Sequence, residues 1–327
     1  MIDILSGRPQ RIFITGASGC IGHYVIETLV QQTTHELFLL MRDPSKLKID
    51  ITQRLGIQVI KGDLHDVDGF ADLLSTMDTA ILIATCWGGA DEIFAINVDA
   101  NLRIMTLLDP DRCQQVIYFS TSSILSRSNQ PLQEAGEIGT DYIRSKYICH
   151  QKLATLAIAP QITTLFPTLV FGGDEHKPYS HISAGLSEVA SWAGLIRFFQ
   201  ADGSFHFLHA KDIATVVGYL VDHPPQAGEA REWVLGNPAM TANQAIKAIS
   251  DYFGKPSYFR IPLSPVLADV LIKVFRLRMA DWDRFCLKYR HFTHQDPVSP
   301  ATLDLPIYCS TLGDVFQATG IAGKSAA

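Results

Sequence analysis

No two cysteines in this chain are spaced as C-x-x-C: Cys20, Cys86, Cys113, Cys149, Cys286 and Cys309 are scattered over 327 residues. That excludes a disulfide scaffold and fits reduced thiols in a cytoplasmic protein. Basic residues are not in surplus. Lys and Arg total 27 against 33 Asp and Glu, a net charge of -6, so nothing marks a nucleic-acid partner. No apolar run approaches the ~20 residues that span a bilayer; the longest candidate, Val266 to Phe275, is interrupted by Asp269 and Lys273. The opening MIDILSGRPQR lacks the basic-then-apolar pattern of a secretory signal. Neither an internal repeat nor a low-complexity linker is present. His291, His294 and Asp296 lack a completing ligand spacing, so no metal site is expected.

What is present is ordinary for a globular chain with a sizeable core: 47% apolar and 18% charged residues. Continuous apolar runs at 11–15, 36–41, 57–61, 79–84, 115–120 and 161–166 read as buried strands. Helical spacing falls between them, at 21–31, 95–108 and 141–158. Strands of this kind alternating with helices predict an α/β fold: a Rossmann-like, doubly wound parallel sheet covered on both faces. After Pro167 the texture changes. Glycines and prolines break up 172–206, strand-like runs recur at 205–208 and 232–235 around a helix at 211–222, and the remainder is mostly helical. The expected division is a dinucleotide-binding domain at 1–170 and 205–236, with an interleaved, smaller substrate domain at 171–204 and 237–327.

The segment Thr15-Gly16-Ala17-Ser18-Gly19-Cys20-Ile21-Gly22 follows a strand and opens a helix. Glycines let a backbone turn tightly and approach a pyrophosphate, and the helix N-terminus offers free N–H groups and partial positive charge. Gly22 would let the helix pack closely on the strand. The bland alternative is a plain glycine-rich turn. At the end of the second strand, where an acid would bind a ribose 2′-hydroxyl, the sequence reads Met41-Arg42-Asp43-Pro44-Ser45-Lys46. Arg42 suits a 2′-phosphate through its forked guanidinium, with Lys46 or Lys48 adding charge. A one-residue shift would instead make Asp43 the acid. NADP is therefore the expected cofactor and NAD the alternative.

Tyr142 and Lys146 are four apart on a predicted helix and share a face. A phenol with pKa near 10 is a poor proton-transfer group at neutral pH, and an adjacent ammonium would lower that value. Ser120-Thr121-Ser122-Ser123 ends the fifth strand, on the edge where α/β sites form. Trp192, Phe198, Phe199 and Phe205 would make a pocket apolar. His206 and His209 read as structural or pocket-lining. Pro265–Arg278 is amphipathic with a basic face; it would cover a pocket or core, or touch a membrane surface.

These motifs, with Thr168-Leu169-Val170-Phe171-Gly172 and Phe207-Leu208-His209-Ala210-Lys211-Asp212-Ile213-Ala214, resemble the extended short-chain dehydrogenase/reductases of the NAD-dependent epimerase/dehydratase type over residues 11–235. The Arg42-Asp43-Pro44 loop resembles that of dihydroflavonol reductases. The resemblance implies a catalytic set of Ser122, Tyr142 and Lys146, with Ser123 second to Ser122. It implies dinucleotide contacts at Gly16, Ser18, Gly19, Cys20, Ile21 and Gly22, and at Arg42, Lys46, Asp63, Leu64, Ala84, Thr85, Tyr142, Lys146, Pro167, Leu169 and Val170. Asp63 would meet the adenine or simply cap a helix. Asn97 matches a family helix and reads as structural, with Ala100 in place of a glycine. Phe166 stands where many members carry Arg, which argues against a sugar substrate, and Lys211 replaces an acid.

The implied activity is hydride transfer between nicotinamide and a carbonyl or alcohol of a small, apolar substrate. The alternatives are a nucleotide-sugar epimerase or dehydratase retaining NAD, and a non-enzymatic NADP(H)-binding scaffold. The resemblance allows a homodimer through the helices of Asn97 and Tyr142, or a monomer.

Overall fold

The computed structural model describes residues 8–257, 259–263 and 279–323. Seven strands form one parallel sheet: β1 (Arg11–Thr15), β2 (Glu36–Met41), β3 (Ile57–Lys61), β4 (Thr79–Leu82), β5 (Gln115–Phe119), β6 (Ile162–Pro167) and β7 (Glu232–Leu235). Their order is β7-β6-β5-β4-β1-β2-β3. Parallel neighbours need a crossover between them. Helix α1 (Cys20–Gln32) and helix α4 (Ala210–Asp222) cover one face. The composite helix α2 (Ala90–Phe94, Ala95–Ala100 and Asn101–Leu107) and helix α3 (Asp141–Leu153) cover the other.

The two-residue period of a strand divides the side chains between these layers. Ile12 and Ile14 join the core under α1 and α4, while Phe13 joins the core under α2 and α3. Leu37, Leu39 and Met41 divide from Phe38 and Leu40 in the same way. Both faces being covered is why the strands read as unbroken apolar runs.

The chain winds from β1 outward to β3, then returns across β1 to β4 and outward again to β7. The connections leaving β1 and β4 therefore diverge, and a crevice opens at the carboxyl edge between them. Beyond β6 a separate cluster gathers Phe171, Leu186, Phe207, Ala245, Leu312, Val315 and Phe316. It joins the helices Leu186–Ile196, Ala242–Tyr252 and Leu312–Ala318.

Three local readings change. The fourth strand stops at Leu82, because the chain turns away: the Ala84 amide donates to Thr15 Oγ1 at 3.3 Å. The third helix stops at Leu153, where Thr155 Oγ1 takes the Lys152 carbonyl at 2.7 Å. The second helix begins at Ala90 and is π-wound over Ala95–Ala100. Asn101 Nδ2 donates to the Ile96 carbonyl five residues back, at 2.8 Å, a contact that favours the wider winding. The amphipathic stretch 265–278 lies outside the described residues. No helix among the described residues is long and apolar enough to cross a membrane.

Candidate active site

The first element of the site is the turn after β1. Gly16 has φ +78°, and a Cβ there would lie 2.6 Å from the Ala84 amide nitrogen. A Cβ on Gly22 would lie 2.1 Å from the Gly16 carbonyl. Both positions thus require glycine, one for its backbone region and both for contact. Gly19 is the N-cap of α1 and supplies no side-chain acceptor. The first-turn amides of a long helix are left facing the crevice with the positive end of its dipole. This arrangement fits a pyrophosphate. Cys20 Sγ packs beside Gly172, and burial, with Asp174 nearby, pushes its thiol up to about 12. Cys20 is a packing residue here, not a nucleophile.

The second element is the loop after β2. Arg42 is exposed and its side chain has no partner among the described residues. Asp43 is committed elsewhere: its carboxylate accepts from Ser45 N at 3.0 Å and Ser45 Oγ at 2.6 Å, capping the turn Pro44–Lys46. Those hydrogen bonds hold Asp43 below the usual carboxylate range. Asp43 Oδ1 is engaged in that cap, whereas the Arg42 guanidinium has no partner among the described residues. After β3, Asp63 caps the 3-10 helix Leu64–Phe70 by accepting from His65 N at 3.0 Å. Leu64 is half-buried against the core.

The third element is the edge formed by β4, β5 and α3. Asn97 is fully buried. Its Oδ1 accepts from Cys86 N (2.8 Å) and Thr85 Oγ1 (3.1 Å), and its Nδ2 donates to the Cys86 carbonyl and to Ser145 Oγ (both 3.0 Å). Ser145 Oγ in turn donates to the Tyr142 carbonyl at 2.7 Å. One side chain thereby ties the loop leaving β4 to the helix carrying Tyr142, each bond contributing about 1 kcal/mol net. Asn97 is structural, as its sequence context suggests.

Lys146 is 1% exposed. The ladder between β4 and β5 ends at the pair Leu82 and Tyr118. The next carbonyl, that of Phe119, accepts from Lys146 Nζ at 2.7 Å, and Nζ lies 5.1 Å from the Tyr118 ring centroid. Burial drives the ammonium down to about 8. The Tyr142 ring lies parallel to Trp87, with centroids 3.7 Å apart and 15° between planes. Trp87 is also near-parallel to His181, 5.7 Å away, and stays 58% exposed. Burial pushes the Tyr142 phenol up, against a smaller opposing effect of the Thr121 hydroxyl facing it. This corrects the sequence expectation that Lys146 lowers the phenol: desolvation wins while the ammonium is turned to Phe119.

Thr121 adjoins the Tyr142 phenol at this strand end, and Ser122 follows it directly in the chain. Thr121 Oγ1 also accepts from Ser123 N at 3.3 Å, capping the turn Ser122–Ile124. Ser122 is 8% exposed at the head of that turn, one residue from Thr121 at the same strand end. Pro167 is buried at the end of β6, and Leu169 and Val170 begin a short strand, Leu169–Phe171, paired with Phe207–His209. Phe166 does not reach the crevice: it is fully buried, packed against His150 and Val234, and carries no information on substrate polarity. Phe205 packs in the helical cluster and Phe198 stacks on Phe259. His206, 2% exposed, uses Nδ1 toward the Asn237 carbonyl and Nε2 toward the His294 amide. His209 caps α4 through Lys211 N. His291 meets Ser204, and Lys211 lies over the Tyr308 ring. Thr121 lies within the Ser120–Ser123 run, whereas Trp87 and His181 belong to no motif. The position of Trp87 in a Gly-rich loop at the end of β4 was the available signal.

The buried ammonium gives a test independent of activity. A lysine held at about 8 rather than 10.5 destabilises the native state while charged, by about 3 kcal/mol. The folded value is depressed, so the unfolded chain binds more protons between pH 8 and 10.5 and stability rises with pH across that window. Lys146→Met is expected to melt higher than the wild type at pH 7, the gap narrowing toward pH 10. Thermal melts at four pH values check this; a gap that stays constant rejects the shifted ammonium.

Comparison with known proteins agrees with this architecture. The sequence model of the NAD dependent epimerase/dehydratase family matches residues 12–236. Eugenol synthase 2 of Clarkia breweri is 33% identical over 81 residues, 23% of this chain and 26% of that protein. The decarboxylating sterol-4-alpha-carboxylate 3-dehydrogenase of Dictyostelium discoideum is 25% identical over 114 residues, 34% of each. The chain thus matches about a quarter and a third of these relatives' lengths. The crystal structure of the Bordetella bronchiseptica enzyme WbmG in complex with NAD superposes with TM-score 0.64 at 16% identity, covering 99% of this chain and 100% of that one. With a family match over more than half its length and the sheet, turn and strand order described above, the chain belongs to the NAD dependent epimerase/dehydratase family.

Proposed function

We propose that this chain is an NADP(H)-preferring oxidoreductase acting on a carbonyl or alcohol carbon of a small, apolar substrate. The reading is supported above all by Lys146 Nζ on the Phe119 carbonyl at the end of β5, with Tyr142 one turn before it on α3 and Thr121 and Ser122 just after β5. Gly16, Ser18, Gly19, Cys20, Ile21 and Gly22 would hold the pyrophosphate, and Arg42 with Lys46 the 2′-phosphate. Asp63, Leu64, Ala84, Thr85, Pro167, Leu169 and Val170 would complete the cofactor's walls. The nicotinamide, when bound, supplies or receives the hydride.

The chain's own residues do the rest. Tyr142 carries the proton on its phenol oxygen and gives it to the substrate oxygen, or receives it in the reverse direction. Its raised pKa keeps that proton in place through neutral pH, which suits the donor role in reduction. Ser122, with Thr121, holds the substrate oxygen and stabilises developing negative charge. Lys146, charged below about 8, would hold the ribose and stabilise negative charge on the phenol. Trp87 stacks on Tyr142, and His181 lies near-parallel to Trp87; this flat, weakly polar surface favours an apolar substrate.

The test is NADPH consumption with a panel of aromatic and aliphatic aldehydes and ketones. Stoichiometric NADPH oxidation with at least one apolar member is expected. NAD that co-purifies and stays bound, with a nucleotide sugar interconverted and no net NADPH oxidation, would instead establish the epimerase reading.

A further inference from the structure

We propose that His23 is a positioning residue: it clamps the loop after β2 to the phosphate-binding turn, and through that clamp selects the 2′-phosphorylated dinucleotide. The inference rests on the cofactor reading above. His23 lies on the first turns of α1 and is fully buried. Its Nδ1 is 2.9 Å from the Gly19 carbonyl, and its Nε2 is 3.2 Å from the Lys48 amide. A carbonyl only accepts and an amide only donates, so one tautomer satisfies both: Nδ1–H donates to Gly19 and bare Nε2 accepts from Lys48. Burial favours that neutral ring by pushing its pKa down, aided by Lys177. The Gly19 and Lys46 carbonyls and Glu27 pull the other way.

The two partners belong to the two stretches that would grip the cofactor. Gly19 is the N-cap of α1, in the turn that fits the pyrophosphate. Lys48 closes the loop that begins at Arg42 and carries Lys46. The front of that loop, Arg42 to Lys46, is exposed throughout, so it does not place itself by burial. Apart from the apolar contacts of Leu47 and Ile49 with the core, the imidazole is what joins it to the turn. The side-chain bonds of the loop itself are internal: Asp43 to Ser45, and Lys48 Nζ to the Ser45 carbonyl. A clamp of this kind fixes the distance between a pyrophosphate and a 2′-phosphate on the same nucleotide. Its loss would weaken the nucleotide that uses both points more than the nucleotide that uses one.

Two substitutions separate clamp from packing. His23→Leu fills much of the volume and removes both bonds. His23→Asn keeps a donor for Gly19 but cannot reach Lys48. Hydrogen exchange at the Lys48 amide, read in ligand-free protein, should speed up at least about tenfold in both variants. NADPH affinity, titrated by nicotinamide fluorescence without turnover, should fall about fivefold to tenfold in both. NADH affinity should change less than about twofold. If His23→Leu fails to fold, His23→Asn decides. Unchanged Lys48 exchange overturns the clamp, leaving Leu47 and Ile49 as the loop's anchor. Equal weakening of NADPH and NADH reduces His23 to a packing residue and also overturns the proposal. Wild-type protein with no preference for NADPH would instead sink the cofactor reading, and that is seen before any variant is made.

Discussion

Tyr142→Phe is expected to lower turnover of any carbonyl substrate by about 10²- to 10⁴-fold, the range for removing a positioned general acid, while NADPH binds within about twofold of wild type. The substitution deletes one oxygen and keeps the ring that stacks on Trp87 at 3.7 Å, so the fold and the loop after β4 have no reason to move. The Asn97 tie to this helix runs through the Ser145 hydroxyl and the Tyr142 carbonyl, both of which remain. Steady-state kinetics beside a fluorescence titration separate the two effects. Loss of NADPH binding together with turnover would mean Tyr142 is holding the cofactor, and retained turnover would reject it as the proton donor. Thr121 and Ser122 are adjacent candidates for the oxygen-binding role at this strand end.

Arg42→Ala is expected to weaken NADPH about tenfold to a hundredfold, as loss of a charge-assisted, forked contact does, and to leave NADH within about twofold. The reasoning is one of availability. Arg42 is exposed without a partner among the described residues, while Asp43 spends both of its contacts on Ser45. Asp43→Asn should accordingly leave the NADPH to NADH ratio nearly unchanged. Isothermal titration with both nucleotides reads all three proteins. Equal binding of NADH and NADPH by wild type, unaltered by Arg42→Ala, would remove the NADP preference.

Much of this molecule is written in short-range signals. Strands buried on both faces must be continuous apolar runs, so β1 to β7 were legible to within a residue or two. The glycines at 16 and 22 are required by backbone contact, and a motif of glycines is what a reader of sequence sees. What stayed hidden depended on long-range burial or on local competition for hydrogen bonds. The π-wound turn in α2 comes from Asn101 reaching the Ile96 carbonyl, a choice no periodicity encodes. The direction of the Tyr142 shift depends on how deeply the ring is covered and on where Lys146 points, and spacing alone suggested the opposite. Phe166, whose place in the sequence argues against a sugar substrate, fills the core between β6 and α3 and so bears on no substrate, because a strand residue's face is set by register. Asp43 rivals Arg42 in the sequence, and in the fold its carboxylate caps its own turn. His23 sits one residue beyond the glycine motif, and its partner at position 48 is distant in sequence.

The most direct test of the account is a crystal structure of this chain with NADP⁺. The predicted result has the pyrophosphate on the α1 N-terminus at Gly19–Ile21, the 2′-phosphate at Arg42, and the nicotinamide reaching the edge where Tyr142 and Lys146 lie. A nucleotide bound away from the β1–β4 crevice, or a nicotinamide that ends outside reach of the Tyr142 phenol, would contradict it.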